Sequence, residues 1–226
     1  MSAPLLLVTG TGTGIGKTVV STGLVAAWAR RGASVAGVKP IESGVAPAGP
    51  PSGDVLELGR VSTFHVTRFP PPYLLADPVS PHLAARRAGR AIDLRVVVDW
   101  LAPLRAAADA IVLELPGGLF SPLSDTSTNA DLLLALAPTH VVLVAPDRLG
   151  VIHDVVATTR AARAEGIAFG GLVLSAALET DASVGTNADE LARVLPTPPV
   201  LASLPRAGAD DLAPRFDATL AALVPA

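Results

Sequence analysis

Residues 8–18 read V-T-G-T-G-T-G-I-G-K-T, and this stretch limits the fold more than any other in the chain. The apolar run Leu5-Leu6-Leu7-Val8 comes before it, and a helix-compatible segment, Val19 to Arg31, comes after it. Strand, glycine-rich turn, Lys-Thr and helix, in that order, make a phosphate-binding loop. Gly10, Gly12, Gly14 and Gly16 let the backbone turn its N–H groups onto an anion. The N-terminus of the following helix adds partial positive charge. Lys17 is placed to reach the β- and γ-phosphates, and the Thr18 hydroxyl to ligate Mg²⁺. The common spacing G-x-x-x-x-G-K-[ST] would need glycine at position 11. Thr11 stands there and the glycine is Gly10, so the loop is one residue longer.

The chain has two lysines, Lys17 and Lys39; its other basic side chains are arginine. Arginine therefore serves wherever any cation suffices. Lysine is kept where a slim ammonium is needed and a broad guanidinium fork does not fit. Lys17 lies in the loop. Lys39 ends the next apolar strand, Ser34 to Val38, and strand ends near such a loop are where ligands bind in open α/β sheets.

At 226 residues the chain is expected to be one domain, residues 1–226, with a substantial core. Net charge is −3 and no Lys/Arg block stands out, which argues against nucleic acid and anionic membranes as partners. There is no cysteine, hence no disulfide framework, thiolate metal site or cysteine nucleophile. No apolar run reaches the roughly 20 residues needed to span a bilayer, and Leu5 to Val8 is too short for a signal sequence. The expected compartment is the cytoplasm.

In chain order, Val20, Leu24, Val25 and Trp28 give Val19–Arg31 the apolar face of a helix packed on a sheet. Residues 39–44 read as a loop, and 45–53, rich in Pro, Ala and Gly, as a mobile surface segment. Asp54 opens a short helix to Arg60. Its carboxylate either caps that helix or ligates Mg²⁺, and the residue taken alone favours the cap. Ser80 and Pro81 suit the N-cap and first position of a helix, with His82 a polar helix-start residue. Ile92 to Leu101 reads as a helix stopped near Pro103. Ala110 to Leu113 is a buried strand ending in Glu114, the acidic partner that Mg²⁺ wants across from a phosphate loop. The long polar loop 116–129 follows, with Gly117 and Gly118 open to close backbone approach. Thr128 or Asn129 caps the helix through Leu136. Strands at 140–145, 169–174 and 200–204 alternate with helices at 149–163, 187–195 and 210–223. This alternation predicts a parallel sheet covered on both faces.

Several segments together resemble the dethiobiotin synthetase family. They are V-T-G-T-G-T-G-I-G-K-T at 8–18, V-K-P-I-E-S-G at 38–44, Asp54, D-P-V-S-P-H at 77–82 and E-L-P-G-G-L-F-S-P-L-S-D-T at 114–126. They span a little over half the chain, from residue 8 to residue 126; L-G-V-I-H at 149–153 is only loosely similar. The resemblance implies a three-layer α/β/α fold of P-loop NTPase type, with a mainly parallel, seven-stranded sheet, and a homodimer with substrate at the interface. It implies an ATP- and Mg²⁺-dependent ligase acting on 7,8-diaminononanoate and CO₂ (or bicarbonate). One amine captures CO₂ as a carbamate, the γ-phosphate activates it as a carbamic–phosphoric anhydride, and the second amine closes the ring.

Carried over residue by residue, the resemblance makes Lys39 and Lys17 catalytic. Gly12, Thr13, Gly14, Ile15, Gly16, Lys17, Thr18, Val19, Asp54, Glu114, Gly117, Ser175, Leu204, Pro205 and Arg206 become nucleotide contacts. Ser43, Thr13 and Gly118 become substrate contacts, and Thr18, Asp54 and Glu114 metal ligands, which reverses the cap preference at Asp54. Gly14 stands where many members carry a polar residue, and Leu115-Pro116 where Gly-Ala is usual. Ser175-Ala176 replaces the Asn that reads the adenine edge, which predicts weak base selectivity, since a hydroxyl cannot make the bidentate amide contact. The competing expectations are a nucleotide-switch ATPase of the partitioning type, whose extra lysine early in the loop is replaced here by Thr11-Gly12, and a related synthetase with another substrate.

Overall fold

The computed structural model describes residues 3–46 and 53–224. Eight strands are described: β1 (Leu5–Gly10), β2 (Val35–Val38), β3 (Ile41–Ser43), β4 (Tyr73–Leu75), β5 (Ala110–Glu114), β6 (His140–Asp147), β7 (Gly171–Ala176) and β8 (Val200–Leu204). The helices are α1 (Lys17–Arg30), α2 (Gly53–Val61), α3 (Pro81–Arg87), α4 (Leu94–Ala107), α5 (Asn129–Leu136), α6 (Val151–Ala164), α7 (Asn187–Val194) and α8 (Ala209–Leu223). A single 3₁₀ turn covers Val66–Arg68.

Six strands form one parallel sheet in the order β2-β5-β1-β6-β7-β8. Side chains alternate across it, as a two-residue period requires. Leu5, Leu7, Ile111 and Leu113 face α4 and α5, while Leu143, Ala145, Leu172 and Leu174 on the same face meet α6 and α7. Leu6, Val8, Val112, Val142, Val144 and Val173 face the other way, onto α1 and α8. Two helical layers therefore sandwich the sheet, and its strands read as nearly unbroken apolar runs because both faces are buried. No described helix is long and apolar enough to cross a membrane.

The sheet has six strands, not seven. Beside β2, the backbone groups that a further strand would use are already taken. Val35 N–H donates to the Thr63 hydroxyl and Gly37 N–H to the Ser62 hydroxyl, while Val35 C=O accepts from the N–H groups of Thr63 and Phe64. This cover also protects an edge that would otherwise invite foreign pairing. After Lys39, Pro40 has no N–H to continue a ladder. The chain turns off and Ile41–Ser43, expected to be loop, pairs with Tyr73–Leu75 in a separate two-stranded parallel sheet. Three residues are too few to show a period, and the partner lies some thirty positions away.

Other boundaries moved for local reasons. α4 does not stop near Pro103 but continues to Ala107. Pro103 and Asp99, whose carbonyl loses a partner, both face solvent, while Leu101 and Leu104 are buried on the opposite side. Burial holds the helix together across the proline. β7 begins at Gly171 rather than Phe169 and runs on to Ala176, because its register is set by β6, with Val142 beside Gly171 and Asp147 beside Ala176. Ser80 occupies the N-cap of α3, yet its hydroxyl meets His82 Nδ1 at 3.0 Å instead of a backbone N–H. Of the 45–53 segment, residues 47–52 lie outside the described residues.

Candidate functional site

Register alone brings the charged groups together. β5 lies between β2 and β1, with Val38 beside Leu113 and Val8 beside Glu114. One step past these pairs, Lys39 stands abreast of Glu114. The loop from β1 turns over both, since it starts two residues beyond Val8. All three strand ends are carboxyl ends, the side on which ligands bind in such sheets.

The loop is held by backbone from β6 on one side and from the loop after β5 on the other. Thr11 N–H donates to the Val144 carbonyl at 3.0 Å, and Leu119 N–H to the Gly10 carbonyl at 2.9 Å. Gly118 packs so closely on the loop that a Cβ there would lie 3.3 Å from backbone atoms of Gly10, Thr11 and Gly12. Thr13 is exposed and sits beside Gly117. Gly16 is the left-handed N-cap of α1, φ 86°, with no side-chain cap of its own. The first N–H groups of α1 are thus free for an anion.

Lys17 is buried, 6% exposed, and its ammonium donates to the Gly12 carbonyl at 2.8 Å. Burial lowers its pKa to about 8 against the opposing pull of Glu114. Lys39 is equally buried at 7%, and its ammonium bonds the Glu114 carboxylate at 2.9 Å and the Asp54 carboxylate. Burial alone would depress Lys39, but Glu114 and Asp54 outweigh it and hold the pKa above the ordinary lysine value. Burial pushes the Asp54 carboxyl upward, but Lys39, the Thr18 hydroxyl and Lys17 together outweigh it and hold the pKa below the ordinary carboxylate value. The Thr18 hydroxyl donates to Glu114 Oε1 at 3.2 Å and Ser21 to Glu114 Oε2 at 3.0 Å. Lys39 thus pairs directly with Glu114, while Lys17, held on the Gly12 carbonyl, feels the charge of the same carboxylate.

Asp54 does not cap its helix. Glu42, from β3, accepts the N–H groups of Asp54 and Val55 at 2.7 and 3.1 Å and caps α2 from outside. This leaves the Asp54 side chain free to turn to Lys39. Burial raises the Glu42 pKa, the two backbone bonds opposing it. At α5 the cap is Thr128, which forms a capping box with Asp131. Asn129 instead donates from Nδ2 to the carbonyls of Pro116 and Gly118 and staples the glycine loop.

The oxygen donors Thr18, Asp54 and Glu114 form one linked cluster. Hard oxygen ligands of this kind fit Mg²⁺. Among the described residues no three His, Cys, Asp or Glu side chains group as a metal cage.

The remaining expected contacts fall into three places. Ser43 lies in β3, near the Asp77–Pro78 segment: a Cβ at its neighbour Gly44 would meet Pro78 at 3.2 Å. Leu204, Pro205 and Arg206 bound a cavity of about 360 Å³ past the ends of β6, β7 and β8. Val19 is half exposed on α1, facing away from the core. Sequence reasoning missed Ser21, Glu42 and Asn129. Ser21 was within reach, standing three residues after Thr18 on one helix face. Glu42 and Asn129 gave no such signal, because their partners are 11 or more residues away.

A family model described as an AAA domain matches residues 5–210. The ATP-dependent dethiobiotin synthetase of Ralstonia nicotianae is 40% identical over 218 residues, covering 95% of this chain and 92% of its own. That of an Anaeromyxobacter species (strain Fw109-5) is 39% identical over 190 residues, 84% of each chain. Among solved structures, a ParA family ATPase from Chlorobium tepidum superimposes with a TM-score of 0.61 over 97% of each chain, at 12% identity. At that identity the likeness is one of fold.

Proposed function

Since this chain belongs to the family of ATP-dependent dethiobiotin synthetases, we propose that its two buried lysines and three oxygen donors carry the phosphoryl-transfer step of that ligase. The chain is an ATP-dependent ligase of biotin synthesis, forming dethiobiotin. In our reading the substrates are 7,8-diaminononanoate, CO₂ and MgATP, the working unit is a homodimer, and the compartment is the cytoplasm. Residues 1–226 act as one domain.

The loop N–H groups and the N-terminus of α1 hold the β- and γ-phosphates, and Lys17 leaves the Gly12 carbonyl to meet them. Lys39, held by Glu114 and Asp54, steadies the carbamate oxygen and the phosphoryl group moving onto it. Thr18, Asp54 and Glu114 would hold Mg²⁺, which neutralises charge on the phosphates. Gly118 and Ser43 line the diamine's side. Charge shifts between oxygens throughout this reaction, so fixed cations are the main help a protein gives. The observation carrying the reading is the buried Glu114 carboxylate, bonded by Lys39, Thr18 and Ser21 beside the glycine loop on which Lys17 is held.

Phosphate release tests it. Release from MgATP should require diamine and bicarbonate together. Lys39→Ala should bind nucleotide within about threefold of wild type, yet release phosphate about 100- to 1,000-fold more slowly. Release driven by a protein or polymer partner without diamine would favour the nucleotide switch instead. Nucleotide binding lost in parallel with turnover would refute the role given to Lys39.

A further inference from the structure

Ser175 was expected at the edge of the base. It lies elsewhere. It is the penultimate residue of β7, 3% exposed, and its hydroxyl donates to the carbonyl of Ile15 inside the phosphate loop. The next loop residue, Gly16, has φ 86°, and a Cβ there would stand 2.8 Å from Ser175 Oγ and 2.9 Å from its Cβ. Loop and strand touch at this point, and only glycine fits between them. Ser175 does not line the cavity that Leu204, Pro205 and Arg206 bound. Its proton is spent on Ile15. Arg206 turns one guanidinium nitrogen, Nη2, to the carbonyls of Ala177 and Leu178 at 3.2 and 3.0 Å.

A trans peptide points its C=O and N–H in opposite directions. Anchoring the Ile15 carbonyl on β7 therefore aims the Gly16 N–H away from β7, at the start of α1, where the first-turn donors are also unpaired. Resting on the nucleotide reading above, we propose that Ser175 is a positioning residue of the phosphate grip and not a reader of the base. It sets the direction of one loop donor, so its effect on affinity is the same whatever base the triphosphate carries. The serine also suits the space: a longer side chain would have to leave the gap against Gly16.

Calorimetric titration of the full chain with ATP, GTP, CTP and inorganic tripolyphosphate separates the two roles. Ser175→Ala should weaken all four by one common factor, roughly 3- to 10-fold for a single hydrogen bond. In steady state the KM for ATP should rise by that factor, with kcat and the diamine KM unchanged. A general structural defect would instead lower kcat or shift the diamine KM as well. Tripolyphosphate affinity retained while ATP affinity falls, or no change in any ligand, would overturn the proposal. Should Ser175→Ala fail to fold, the same titrations on Ser175→Cys, which keeps the shape and weakens the donor, decide: a common loss across all four ligands supports the proposal, and a loss confined to ATP overturns it. A wild-type chain that binds none of the four would overturn the nucleotide reading itself.

Discussion

The Lys17 ammonium is held where water is scarce, and its pKa of about 8 against 10.5 for the free side chain records the cost. Between those values the unfolded chain binds more protons than the folded one. Stability from this group therefore rises as pH climbs from 8 toward 10.5, and the penalty below pH 8 is about 3 kcal/mol. A phosphate placed against Lys17 favours the charged form and lifts its pKa. Nucleotide binding should then take up a proton, and more of one at pH 8.5 than at pH 7.5. Titrations in two buffers of different ionisation enthalpy measure this directly. Equal uptake at both pH values would mean that Lys17 does not meet the phosphates. Lys39 behaves oppositely: two carboxylates keep it charged through the whole working range.

Single elements carry the site only because outside residues hold their ends. α2 starts where Glu42 accepts its first N–H groups, so β3 sets the position of Asp54. The glycine loop after β5 owes its shape to the first residue of α5. Asn129 is fully buried, donates to the Pro116 and Gly118 carbonyls, and gives its own N–H to Ser121. Asn129→Ala leaves the buried Pro116 carbonyl without a donor, at a cost on the order of 1–3 kcal/mol, while the Gly118 carbonyl keeps the Ser121 N–H. Urea denaturation should show a loss of about that size. The KM for diamine should rise in the folded variant, because Gly118 would no longer be pressed against the loop of β1. A variant as stable as wild type would show that the staple contributes nothing.

The whole molecule hangs on one sheet. β1 and β5 send alternate side chains into the clusters on both faces, so neither helical layer can separate without exposing the other side's core. Calorimetry should therefore show a single transition with equal calorimetric and van't Hoff enthalpies. Saturating MgATP should move it upward, by about 2.7 kcal/mol at 100 times Kd. Two resolved transitions would contradict a single domain. Much of this plan was legible in the residues. The phosphate loop, the alternation of strands and helices, Lys39 at a strand end and Glu114 at another are local patterns, written within a few positions of one another. A glycine-rich turn or an apolar period depends on neighbours in the chain, and a linear reading captures it. Six strands rather than seven, the cap on α2, the staple from Asn129 and the turn of Ser175 toward Ile15 were decided in three dimensions. Each depends on a hydrogen bond between residues 11 to 160 positions apart. Such a partner is chosen by strand register and by burial, which leaves a polar group no water to bond and so makes the nearest protein atom its only recourse.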